Sequence, residues 1–147
     1  GDVYKRQVVD WSEGAVQYYK TNSTSNLLAE KYRFKEGITY TELTSSVNTF
    51  RYLPPVCIFD KKGPSIVSVK KLWYCLGIFG TKIAPLYFAI LNPTLSTQVR
   101  DVKNLPIIVN GEIEPKIDEI VKENVEICKQ DWNDFETSWG FEKHPLI

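Results

Sequence analysis

Residues 72–91 constrain this chain more than any other stretch. They are almost wholly apolar, but Gly77, Gly80, Thr81, Lys82 and Pro85 interrupt them. A bilayer span needs about 18 unbroken apolar residues, so this run reads as buried helix, not as membrane, and no membrane partner is expected. Residues 71–79 fit a helix with Leu72, Cys75, Leu76 and Phe79 on one face. Residues 83–91 continue helically until Asn92-Pro93 stops them. The apolar share of 43% and aromatic share of 13% supply enough side chains to surround such a pair with a core.

Before this run the pattern is that of short strands. Residues 8–11, 31–35, 38–43, 49–53, 56–59 and 65–69 carry β-favouring residues, and residues 15–20 suit strand or helix. Glu36-Gly37 and Asp60-Lys61-Lys62-Gly63 read as turns, the latter with glycine where positive φ is cheap. After the run, residues 101–104 suggest a short turn, 106–109 a strand and Asn110-Gly111 a turn. Residues 115–130 form a helix whose buried stripe is expected to be Ile117, Ile120, Val121, Val125 and Cys128. Asp131 is positioned to cap a last helix ending at Gly140. The fold class is therefore α+β: a β-rich body, a helical hairpin, then C-terminal helices. The domains expected are 8–111 and a helical segment 112–147.

The chain contains no methionine, opens at Gly1 in running sequence and stops directly after an aromatic-rich stretch. It is expected to be an internal piece of a larger protein. Residues 1–7 contain Asp-Val-Tyr-Lys-Arg-Gln, which looks like a translated sequencing adaptor and is set aside from fold reasoning. Cys57, Cys75 and Cys128 are scattered, and His144 is the sole histidine, so a Cys/His metal site is not expected. Three isolated thiols fit small core positions in a reduced, cytoplasmic protein.

The formal net charge of zero conceals an asymmetry. Residues 8–111 hold twelve Lys and Arg against seven Asp and Glu, and residues 112–147 hold four against ten. A polyanion would bind the body and avoid the tail.

Catalytic signatures are missing. Asn92-Pro93 begins like the Asn-Pro-Pro-Tyr motif of amino-methyltransferases, but Thr94 and Leu95 follow, so it reads as a helix stop. Gly77-Ile78-Phe79-Gly80 lies inside an apolar helical stretch with no strand before it, unlike a cofactor loop. No catalytic, cofactor-binding or metal-ligating residue is assigned.

Several segments carry a resemblance. They are Phe34-Lys35-Glu36-Gly37-Ile38-Thr39-Tyr40, Arg51-Tyr52-Leu53-Pro54, Ile58-Phe59-Asp60 and Ile90-Leu91-Asn92-Pro93-Thr94-Leu95. Gln98-Val99, Lys103-Asn104-Leu105-Pro106-Ile107-Ile108 and the closing run Asp131-Trp132, Phe135-Glu136-Thr137-Ser138-Trp139-Gly140-Phe141, Lys143-His144-Pro145-Leu146 complete it. In order along residues 8–147, these resemble the C-terminal half of the BREX-type adenine-specific DNA methyltransferases, the PglX family. Arg100 stands where a small glycine-like residue is expected, and Gly77–Thr81 replaces a more usual Leu-Asn-Ser-type helix junction.

The resemblance implies a parent enzyme that uses S-adenosylmethionine to methylate adenine N6 in phage defence, with its catalytic domain before residue 8. Such an enzyme takes the adenine out of the stack, and a separate region grips the flanking bases of double-stranded DNA. The present chain would be that target-recognition region, with the catalytic domain of the same chain as a partner. Arg33, Lys35, Arg51, Lys61, Lys62, Lys70 and Lys71 are the candidate DNA contacts. Thr39, Thr41, Ser45 and Ser46 are candidate phosphate donors, while Trp11, Trp73, Trp132 and Trp139 read as core or interface residues. The alternative is a protein-interaction domain whose helices after residue 112 dock other defence-system subunits.

Overall fold

The computed structural model describes residues 8–60, 63–138 and 140–146. The chain divides into two compact units, residues 1–33 and 34–147.

In the first unit, helix α1 spans Glu13–Thr21. The Ser12 hydroxyl accepts from the Ala15 N–H at 3.4 Å, and Glu13 sits in the first turn, where a negative charge suits the helix dipole. The strand expected at 8–11 is absent. The Asp10 carboxylate accepts the Ser12 N–H at 2.9 Å, and this local bond bends the backbone out of extension. That bond also holds the Asp10 carboxyl below the usual range. Nor is 31–35 a strand: Glu30–Tyr32 winds into a 3-10 turn, and Phe34 has φ of 50°.

The second unit is built on an antiparallel sheet of β1 (Gly37–Tyr40), β2 (Phe50–Leu53) and β3 (Ser65–Val67), in the order β2-β1-β3. Ile38 faces Tyr52 and Ile66, while Thr39 faces Arg51 and Ser65. Period two therefore sends Ile38, Tyr40, Phe50, Tyr52 and Ile66 to the core, and Thr39, Arg51 and Ser65 to the other face. Gly37 is not in a turn but opens β1, paired with both Leu53 and Val67. A Cβ there would lie 2.2 Å from the Ile66 carbonyl oxygen, so only glycine lets β3 close on β1. Gly63 does not take the positive φ expected of it; outside glycine, Phe34 and Ser68 do.

Residues 56–59 are no strand either. The Cys57 N–H bonds to the Pro54 carbonyl, closing a β-turn with Pro55 at its second position. Residues 106–109 find no ladder. Instead the Tyr74 hydroxyl donates to the Ile108 carbonyl at 2.9 Å and accepts from the Asn110 N–H at 3.3 Å.

Among the described residues four helices follow in this unit: α2 (Leu72–Phe79), α3 (Ile83–Leu91), α4 (Val99–Lys103) and α5 (Glu114–Asn133). The interruption at 80–82 turns the chain by 77° between α2 and α3, a corner in place of the expected hairpin. Pro85 fits the first turn of α3, where its missing N–H costs no helical bond. The core joins Ile38 and Tyr40 of the sheet to Leu72, Leu76, Phe79, Ala84, Phe88, Val102 and Leu105. Phe50 stacks on Phe79 at 4.5 Å and on Phe88 at 5.6 Å.

The 101–104 turn is the helix α4, and Asp101 is buried within it at 4% exposure. Its Oδ2 accepts from Asn92 Nδ2 and from the Gln98 N–H, each at 2.8 Å. Asn92 thus ends α3 and anchors the loop beyond it, which accounts for the Asn-Pro dipeptide without chemistry. Arg100, in the glycine-like position, is an exposed helical residue whose Nε lies 3.6 Å from Asp101 Oδ1.

Helix α5 packs on α2, but in a different phase from the stripe expected. Ile117, Val121 and Val125 turn inward, whereas Ile120 is 47% exposed and Cys128 is exposed. A helix beginning at Asp131 does not form; α5 runs through that residue, and turns follow. Gly77 sets the approach of the two helices. A Cβ there would lie 2.8 Å from Val121 Cγ2 and 3.2 Å from Ile117 Cγ2.

Candidate nucleic-acid interface

The sheet register sorts the candidate cations. β2 and β3 both run opposite to β1, so the 54–64 connection passes from the Gly37 end of the sheet to the Tyr40 end. There the Tyr40 N–H donates to the Pro64 carbonyl. Arg51 lies toward this loop end, opposite Thr39 on the outer face. Lys35, two residues before β1, and Lys70 and Lys71, just after β3, lie at the Gly37 end. Lys61 and Lys62 fall outside the described residues.

Each side chain has its own setting. Arg51 Nη2 donates to Thr41 Oγ1 at 3.0 Å, and its Nε is buried without a partner among the described residues. Lys35 and Lys70 are exposed. Lys71 is ion-paired with Glu114, so its charge ties the start of α2 to the start of α5. Arg33, in the first unit, donates from Nε to the Leu28 carbonyl at 2.7 Å and lies 5.6 Å over the Trp11 ring. These are structural ties, and they leave the exposed Lys35 and Lys70 and the half-buried Arg51 as the remaining candidates.

The hydroxyl candidates divide likewise. Thr39 Oγ1 donates toward the Gly63 and Pro64 carbonyls, and Thr41 is taken up by Arg51. Ser45 and Ser46 are exposed on the 41–49 loop. Trp73 stacks on Tyr52 at 5.0 Å beneath Lys122, a packing role as expected; Trp139 falls outside the described residues.

Sequence reasoning missed Thr41 as the brace of Arg51, because the pairing depends on strand register. It also missed the positive φ of Phe34, an exposed aromatic beside Lys35. No sequence signal marks such a conformation, which bulky residues rarely adopt.

Burial pushes the Cys57 thiol up, and burial together with Asp118 does the same for Cys75. Both are held as thiols, unlike an activated nucleophile. Among the described residues, no group of three or more His, Cys, Asp and Glu is placed to hold a metal ion. No single helix there is long and apolar enough to cross a membrane.

No family model matches the chain. It is 28% identical over 144 residues to the adenine-specific methyltransferase BrxX of Escherichia coli O9:H4 (strain HS), a match covering 95% of this chain. It is 27% identical over 148 residues to the adenine-specific methyltransferase PglX of Lacticaseibacillus casei (strain Zhang), again across 95% of the chain. The chain spans only 12% of the length of either relative. Along nearly its whole length, then, this chain is similar to a segment of the BrxX and PglX adenine-specific methyltransferases.

Proposed function

We propose that the chain is the DNA-sequence-recognition part of a longer, S-adenosylmethionine-dependent adenine-N6 methyltransferase of phage defence. The observation that carries this reading is the match of 95% of the chain to a segment forming 12% of two adenine-specific methyltransferases. The cation surplus of residues 8–111 supports it, as does an arginine braced on the outer face of the sheet beside two loops. Cofactor and methyl transfer belong, on this reading, to the remainder of that polypeptide. Lys35 and Lys70 supply phosphate contacts, which give affinity without sequence information. Arg51 is the base reader: with Nε buried and Nη2 tied to Thr41, the terminal end of its guanidinium is what is left to donate to the acceptors of guanine in the major groove.

Duplex titrations of the full-length enzyme at several salt concentrations test this. Lys35→Ala with Lys70→Ala is expected to weaken binding on every sequence and to flatten the salt slope by up to about two. Arg51→Ala is expected to lose about 1–3 kcal/mol of discrimination at one base pair. An unchanged slope together with unchanged sequence preference would overturn the reading.

A further inference from the structure

Helix α3 is apolar all round, with no residue more polar than Tyr87. A helix of that kind belongs in an interior. Yet only Ala84 and Phe88 face the core, while Ile83, Leu86, Tyr87, Ile90 and Leu91 are exposed, Ile90 at 78%. Their spacing of 0, 3, 4, 7 and 8 makes one continuous helical face. The loop beyond adds to the apolar exposure: the Leu43–Ser96 bridge places exposed Leu43 beside exposed Leu95. No charged residue occurs from 83 to 99, between Lys82 and Arg100. This surface therefore offers nothing to a phosphate backbone, and a polar solvated helix would not be built this way. Apolar faces of this extent mark contact surfaces.

We infer that the outer face of α3 docks against an apolar surface of the same polypeptide outside residues 1–147. This rests on reading the chain as a methyltransferase segment. Its match is to 12% of each relative, so the greater part of such an enzyme is tethered to this helix. Tethering raises the effective concentration of that surface far above that of any separate partner. The uncharged run matches an apolar partner and no other kind. Arg51, Lys35 and Lys70 are not part of this face, which reaches the 41–49 loop beside Arg51 at Leu43.

The test is thiol accessibility. Ile90→Cys and Glu123→Cys are each made in the full-length enzyme and in the 147-residue chain, and maleimide labelling is followed peptide by peptide, so that Cys57, Cys75 and Cys128 do not interfere. Both substituted positions are exposed in this structure. The expected result is equal labelling in the 147-residue chain and at least tenfold slower labelling of position 90 than of position 123 in the full-length enzyme. Equal rates in the full-length enzyme would overturn the inference. So would slow labelling already in the 147-residue chain that reverses on dilution, which would mean a second copy covers the face. Protection only after adding lipid vesicles would assign the face to a membrane and likewise overturn it. Labelling needs no DNA, so a failed duplex titration with position 90 protected would reject the recognition reading alone.

Discussion

At the scale of single residues, Tyr40 is the most consequential. It is fully buried at the end of the central strand, its ring 5.1 Å from Phe50, and its hydroxyl has no hydrogen-bond partner among the described residues. Burial first, then the charges of Glu42 and Asp101, push its pKa up to about 12. The unfolded chain releases the same proton near the ordinary value of 10.0. The associated stability is therefore complete below that pH and is lost as pH rises toward 12. Tyr40→Phe keeps the ring and removes an unsatisfied hydroxyl, so it is expected to leave stability unchanged or raise it by about 1 kcal/mol. It should also flatten the fall in stability between pH 10 and 11.5. Thermal melts of both proteins across that range check this; a Phe variant that is less stable at pH 7 would mean the hydroxyl is satisfied after all. Arg51 and Asp101 illustrate a second lesson. Both are charged residues that a sequence reads as surface, and both are held by specific partners, Thr41 in one case and Asn92 with the Gln98 N–H in the other.

At the scale of elements, the crossing of α2 and α5 decides how the C-terminal helix sits. Gly77 leaves no room for a side chain beneath Val121. Gly77→Ala gains about 1 kcal/mol of helix propensity, but overpacking costs about 1–3 kcal/mol. A net destabilisation of about 1 kcal/mol is expected, read as a lowered thermal midpoint. The phase of α5 is tested by two further variants. Val121→Asp places a charge against the core and is expected to cost roughly 2 kcal/mol or more. Ile120→Asp, half exposed, is expected to change stability by no more than about 0.5 kcal/mol in this chain. The reverse order would show that the helix is rotated from the orientation described.

At the scale of the whole molecule, charge and apolar surface are segregated. The acidic surplus lies along and beyond α5, and the exposed i,i+3 ion pair of Glu126 with Lys129 at 3.3 Å contributes little. Reversing Glu123 and Glu126 to lysine is therefore expected to leave the thermal midpoint within about 0.5 kcal/mol equivalent of the parent and not to weaken duplex binding. Weaker binding in a titration of the full-length enzyme would place the acidic face, not the sheet, at the DNA.

Sequence alone determined the α+β class, and its strands at 38–43, 49–53 and 65–69 and helices at 71–79, 83–91 and 115–130 fall on the elements β1–β3, α2, α3 and α5. Those elements carry strong local periodicity or hard stops such as Pro54-Pro55 and Asn92-Pro93. The resemblance to adenine-specific methyltransferases was legible too, because it resides in residue identities along the chain. Tertiary structure decided the rest. Residues 8–11, 31–35, 56–59 and 106–109 have strand-like composition, but a local side-chain bond, a 3-10 turn, a proline turn and a tie to the Tyr74 hydroxyl give them other conformations. Which cations stay outward was equally invisible, since Lys71 is neutralised by Glu114, 43 residues away. The outer face of α3 was hidden for the opposite reason: an all-apolar helix reads as buried, and only the packed chain shows which of its sides the core covers.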